Sequence, residues 1–216
     1  MKSIIEMMQR FLDCGVLAII RIDSPQDVTP TMEALARGGV NVIEISLVTP
    51  HALDYIARAR AELGDQVMIG AGTVLDAESA RAAILAGADF LVTPVTRLEV
   101  IGVAQRYGKL SFIGAYTPTE CLQAWEAGAS AVKVFPAMPA GPAYFKAIHA
   151  PLPQIPLVAV GGVTLDNLGS FIKAGACGVA GASNLADPKL VAGGRFDEIT
   201  RIAAAWLQAA KDARGS

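Results

Sequence analysis

At 216 residues and 53% apolar content the chain can bury a large core, yet glycine, proline or a charge interrupts each apolar run before the roughly 18 residues that a membrane span needs. The net charge is −2, with lysine and arginine scattered along the chain, so neither a nucleic-acid nor a membrane partner is expected. Cys14, Cys121 and Cys177 are odd in number, far apart and outside any CxxC pair, which argues against a disulfide framework or a zinc site and fits a reducing cytoplasm.

The N-terminal stretch MKSIIEMMQRFLDCGV carries Glu6 and lacks the apolar block and cleavage site of a signal peptide, so it reads as a short amphipathic helix. VLAIIRI (16–22) is the first strand candidate. Alternation along a strand sends residues i and i+2 to one face, which pairs Ile19 with Arg21. A helical segment, DVTPTMEALARGG, leads to the second strand, NVIEISLV. There Ile43, Ile45 and Leu47 form the set expected to face covering helices, which turns Val42, Glu44 and Ser46 inward. His51, after Thr49-Pro50 at the top of this strand, has two readings, a residue lining the site or, the favoured one, a surface residue at a helix start. In the third strand, VMIGAGTV (67–74), alternation groups Ala71 with Thr73; its GAG lacks GxGxxG spacing, so no nicotinamide cofactor is implied. The fourth candidate ends LVTP at Pro94, and the fifth is LSFIGAY (110–116).

The sixth, in SAVKVFPA (130–137), sets Lys133 among apolar neighbours. Val132 and Val134 form the outward pair, leaving Ala131, Lys133 and Phe135 inward. His149 reads as a solvated helix cap. PLVAVGGV (156–163) gives the seventh strand and the glycines Gly161 and Gly162, followed by TLDNL, a plausible helix start. KAGACGVAGA (173–182) leads through the eighth strand to Gly181, Ala182, Ser183 and Asn184.

Four related phrases, RGGVNVIEIS, LAGADFLVTP, EAGASAVKVF and KAGACGVAGA, join a helix end to a strand through Gly39, Gly87, Gly128 and Gly175. Glycine suits the left-handed position that ends a helix. Eight strands, each followed by a helix at a period near 24 residues, predict a single (β/α)8 barrel over 1–216 with a short N-terminal helix. The even spacing disfavours a doubly wound open sheet. In such a barrel the reactive ends of the strands are the C-terminal ones.

Arg21, Glu44, Thr73 and Lys133 then converge on one interior. One account is a buried Glu44–Lys133 ion pair that only fills space, although apolar replacements of such pairs are often neutral or stabilising. The other is a Schiff-base lysine, whose amine must lose its proton to attack a ketone; desolvation drives that and Glu44 opposes it. Arg21 would compensate Glu44 and leave Lys133 free to be neutral. Backbone amides after the seventh and eighth strands, at 161–162 and 181–183, suit a phosphate. With two histidines and no ligand cluster, no metal and no organic cofactor are expected.

VIEISL around Glu44, IGAGTVL (69–75), TP (93–94), AVKVFPA (131–137), AVGGVT (159–164) and GAS (181–183) together resemble the bacterial class I aldolases for 2-keto-3-deoxy-6-phosphogluconate and its galactonate epimer, over nearly the whole chain. The resemblance implies a Schiff base on Lys133 and proton transfer by Glu44. It implies pyruvyl contacts from Thr73 and Pro94, phosphate contacts from Gly161, Gly162 and Ser183, and a homotrimer. Two positions depart from the gluconate-type pattern: Val48 stands where an arginine is common, and Val160 where a threonine is. GPAYFKAI (141–148) and VAVGGV look more like the galactonate branch, in which Arg21 would supply the missing charge.

The expected reaction is cleavage of a 2-keto-3-deoxy-6-phospho sugar acid to pyruvate and glyceraldehyde 3-phosphate. Its rivals are the same chemistry on 4-hydroxy-2-oxoglutarate or an unphosphorylated sugar acid, and a noncatalytic barrel that binds a phosphorylated ligand. An inward lysine beside a carboxylate weighs against the last, because binding alone needs no neutral amine.

Overall fold

The computed structural model describes residues 3–22 and 28–215; Met1, Lys2, Ser216 and Asp27, at the start of the second helical segment, lie outside them. Among the described residues, eight parallel strands close a barrel in sequence order. They are β1 (Val16–Ile20), β2 (Val42–Ser46), β3 (Met68–Gly72), β4 (Phe90–Val92), β5 (Leu110–Ala115), β6 (Ala131–Val134), β7 (Leu157–Val160) and β8 (Ala176–Gly181), with β8 pairing back onto β1. The predicted (β/α)8 barrel is what forms. Gly39, Gly87, Gly128 and Gly175 all take the left-handed backbone expected of them, with φ between 89° and 112°.

The covering helices are α2 (Thr29–Arg37), α3 (Ala52–Leu63), α4 (Ala77–Ala86), α5 (Leu98–Arg106), α6 (Pro118–Glu126), α7 (Ala137–His149), α8 (Leu168–Lys173) and α10 (Phe196–Arg214), with a short α9 (Pro188–Ala192) before the last. The segment read as one helix after β6 is broken at Gly141 (φ 73°), just before Pro142. The helix after β7 is only six residues long, which leaves 161–167 as loop beside the cavity mouth. His149 is not a solvated cap: it is half-buried against Gly175, and its Nδ1 is buried without a hydrogen-bond partner among the described residues.

The N-terminal helix α1 (Ile4–Cys14) starts at a reciprocal capping box, Ser3 with Glu6, and buries Met7, Phe11 and Cys14. Phe11 closes the N-terminal end of the barrel. Its ring centroid lies 4.8 Å from that of Phe112, which lies 5.4 Å from that of Phe90, so three aromatic rings fill the lower interior. At the other end of the sequence, Arg214 donates to the carbonyls of Leu12 at 2.5 Å and Cys177 at 2.7 Å, fastening α10 to α1 and β8.

Candidate active site

With the lower interior filled, the open space lies at the C-terminal strand ends, where a cavity of about 400 Å³ is found. Arg21 follows β1, Glu44 and Ser46 lie on β2, Thr73 follows β3, Pro94 follows β4 and Lys133 lies on β6; all line this cavity. The register explains the convergence. Ile19 pairs with Glu44, Glu44 with Gly70, Gly114 with Lys133 and Lys133 with Val158, and paired residues of parallel strands share a face.

Glu44 is 2% exposed and Lys133 6%, so both carry their titratable groups into a low-dielectric interior. Burial is the largest influence on each. It pushes the Glu44 carboxyl up from the ordinary carboxylate range, against the pull of Lys133 and Arg21. It pushes the Lys133 amine down, with Arg21 helping and Glu44 opposing. No ion pair within 4.0 Å joins the two, and Glu44 Oε2 is buried with no hydrogen-bond partner among the described residues. The Lys133 Nζ lies 5.0 Å from the centroid of the Phe135 ring, a face that attracts cationic nitrogen. A buried lysine whose amine is pushed down from its ordinary range, beside a carboxyl without a fixed partner, has the constitution of a nucleophile with a proton shuttle.

Two strand ends shape the floor around this pair. The carboxylate of Glu44 rests on Gly72, and a β-carbon on that residue would collide with it. Ser46 and Thr73 share a 2.8 Å hydrogen bond between their hydroxyls. Just after β4 the buried Thr93 hydroxyl accepts from the Gly114 amide at 2.8 Å and donates to the Val95 carbonyl at 2.7 Å; Pro94, between Thr93 and Val95, packs on Gly114, the residue paired with Lys133.

The loop after β7 and the turn after β8 form the remaining wall. Gly161 and Gly162 have φ of 95° and 76°, a backbone that residues with a β-carbon rarely adopt. The amides of Gly161, Gly162 and Ser183 have no acceptor among the described residues, which leaves them available to an anion.

Of the residues singled out in the sequence, Arg21, Glu44, Thr73, Pro94, Lys133, Val160, Gly161, Gly162, Ala182 and Ser183 line the cavity. Gly181 does not: it faces Trp206 of α10, because alternation on β8 turns its neighbours Ala180 and Ala182 inward instead. The face assigned to β3 is also reversed. Gly70 and Gly72 are inward, against Phe90 and Glu44, and Ala71 is outward; Thr73 reaches the cavity because its own φ of 60° turns the chain at the end of the strand. His51 lies outside the cavity, exposed and 3.4 Å from Asp54. Sequence reasoning passed over Ile19, Val163, Ala180 and Asn184 as lining residues; for Ile19 the signal was present, since it shares a strand face with Arg21.

A closed parallel barrel that desolvates a lysine and a carboxyl at its C-terminal mouth defines a class, the metal-independent aldolases that work through a lysine imine. The family described as KDPG and KHG aldolase matches residues 6–202. The 2-dehydro-3-deoxy-6-phosphogalactonate aldolase of Escherichia coli (strain K12) is 38% identical over 199 residues, 92% of this chain and 95% of that one. A native KDPGal structure superposes with a TM-score of 0.86 at 37% identity, covering 93% of this chain and 96% of that one. The KDPG aldolase of Legionella pneumophila, with pyruvate captured as a covalent carbinolamine, superposes at 0.85 with 26% identity over 92% and 96%. The chain belongs to the KDPG and KHG aldolase family.

Proposed function

We propose that this chain cleaves a 2-keto-3-deoxy-6-phospho sugar acid, with preference for the galactonate epimer, and that Lys133 is its nucleophile. The observation that carries the reading is the buried Lys133 amine, pushed toward neutrality 5.0 Å from the Phe135 ring and facing Glu44 across the cavity.

The amine adds to the C2 ketone to give a carbinolamine, and loss of water leaves an iminium ion. Glu44 takes the C4 hydroxyl proton. The C3–C4 bonding pair moves toward the iminium nitrogen, so glyceraldehyde 3-phosphate departs and an enamine remains. Protonation at C3 and hydrolysis release pyruvate and return the amine. Thr73 and Pro94 border the pyruvyl end, while Gly161, Gly162 and Ser183 offer amides to the phosphate. Contacts remote from the breaking bond hold the chain of the substrate in register for it.

Arg21 is the cation we assign to the substrate's polar middle, since position 48 carries a 57% exposed valine. The apolar wall of Val48 and Val160, together with 38% identity to the Escherichia coli galactonate enzyme, supports the galactonate preference. The exposed apolar side chains Leu75, Val95 and Leu98 beside the mouth are the kind of surface a subunit contact covers, which supports a homotrimer. Among the described residues no helix is long and apolar enough to cross a membrane, and the three cysteines are free thiols, which supports a place in the cytoplasm.

The deciding experiment assays both C4 epimers side by side with pyruvate detection. A higher kcat/KM for the galactonate epimer is expected; pyruvate from neither would overturn the reading.

A further inference from the structure

The wall after β7 has a feature that neither the lysine nor the carboxyl explains: three successive carbonyls each accept a hydrogen bond, from α7, from the far end of the loop and from the turn after β8. The Gly161 carbonyl accepts from the Met138 amide at 2.9 Å. The Gly162 carbonyl accepts from Asn167 Nδ2 at 3.1 Å, and the same side chain takes the Thr164 amide on its Oδ1 at 2.8 Å. The Val163 carbonyl accepts from Asn184 Nδ2, whose Oδ1 takes the Ala182 amide at 3.1 Å.

A peptide unit is planar and trans, so its N–H points opposite to its C=O. Holding the carbonyls of Gly161 and Gly162 therefore fixes the directions of the Gly162 and Val163 amides. Neither amide has an acceptor among the described residues. An unheld carbonyl could rotate into the cavity and oppose an anion; a held one cannot. Asn184 does more, because it ties the loop after β7 to the turn after β8 that presents Ser183.

We propose that Asn167 and Asn184 are positioning residues for anion binding: Asn167 holds the Gly162 carbonyl and with it the direction of the Val163 N–H, while Asn184 holds the Val163 carbonyl and joins its loop to the turn of Ser183, so that N–H groups, and not carbonyls, face the substrate's phosphate. The inference rests on the phosphate placement proposed above. Asn184 lines the cavity mouth, yet its donor and acceptor atoms are both engaged with backbone, which leaves it a framing role and not a direct contact.

The test compares wild type with Asn184→Ala, Asn167→Ala and the isosteric Asn184→Asp, each checked for folding by circular dichroism. Three readouts are taken: kinetics with 2-keto-3-deoxy-6-phosphogalactonate, kinetics with its unphosphorylated counterpart, and pyruvate trapping by cyanoborohydride. For each alanine variant KM for the phosphorylated substrate should rise about tenfold with kcat within about threefold, the effect of one lost framing hydrogen bond on binding. The unphosphorylated substrate and the trapping rate should be unaffected, and inorganic phosphate should inhibit the variants less than wild type. Asn184→Asp, which keeps the acceptor, loses the donor and adds a negative charge, should raise KM further. Equal losses on both substrates, unchanged KM for the phosphorylated one, or failure of all three variants to fold would each overturn the proposal. A wild-type protein that traps no pyruvate would instead overturn the lysine assignment; normal trapping with an unchanged KM in the variants removes the asparagine role alone.

Discussion

The Glu44 carboxylate occupies the space that a β-carbon on Gly72 would need. Gly72 has no left-handed φ, so an alanine there suits the backbone and acts through that collision alone. Gly72→Ala should displace the carboxylate and lower kcat by about 10²-fold, as misplacement of a reacting group by an ångström does. Over-packing should cost about 1–3 kcal/mol of stability. A variant that melts lower but turns over normally would show that the seat of Glu44 does not limit the reaction.

Incubation with pyruvate and borohydride should leave a reduced adduct on Lys133. Lys109 is the internal comparison, since it lies 3.7 Å from Asp89 at the opposite end of the barrel and has no route to the cavity. Mass spectrometry that located the adduct on Lys109 or Lys146 would refute the assignment.

Glu44→Gln keeps the shape and removes the base, so turnover should fall by roughly 10²- to 10⁴-fold while the adduct still forms. The pH dependence gives a second readout. Trapping needs the neutral amine, so its rate should rise with pH to a midpoint below 10.5, the ordinary lysine value from which burial lowers it. Glu44 opposes that lowering; neutralising it should move the midpoint to still lower pH. A shift upward would mean that the carboxyl does not act on the amine.

Val160 is 3% exposed and faces the cavity. A substrate hydroxyl against that wall goes unpaired, at a cost of about 1–3 kcal/mol, or ten- to hundred-fold in specificity. Val160→Thr should shift the ratio of kcat/KM values toward the gluconate epimer. A strong gluconate preference in wild type, unmoved by the substitution, would remove the branch assignment and leave the aldolase standing.

Phe11 is fully buried against Phe112. Phe11→Ala should cost about 3–5 kcal/mol by denaturant unfolding, the range for deleting a buried aromatic ring. Activity per folded molecule should hold, because the ring closes the end of the barrel away from the cavity. An equal loss of activity would mean that the lower layer transmits strain to Glu44 and Lys133.

The barrel was legible because its signals repeat: eight strand runs alternate with helical segments, four of them entered through a glycine turn, and an error in one unit is outvoted by the rest. Lys133 and Glu44 were legible because charge in an apolar strand is costly and therefore conspicuous. Alternation failed where the strand did. Thr73 reached the cavity through a left-handed turn that no period-2 rule contains, and two glycines, having no side chains, gave no sign that they were the inward pair on β3. Gly181 was misread for the related reason that a glycine-rich strand end announces no face. Asn184 was invisible because its partners, the Val163 carbonyl and the Ala182 amide, are backbone groups that only the folded chain brings together.

The hold of Arg214 on Leu12 and Cys177 bears on how the protein is born. Until β8 emerges from the ribosome, β1 keeps an unpaired edge, and the longest loop in the molecule must still be closed against its entropy. The clasp that secures that seam comes from Arg214, more than a hundred and fifty positions beyond β1. Nascent chains that end before β8 should therefore expose a strand edge that invites chaperones or a neighbouring chain.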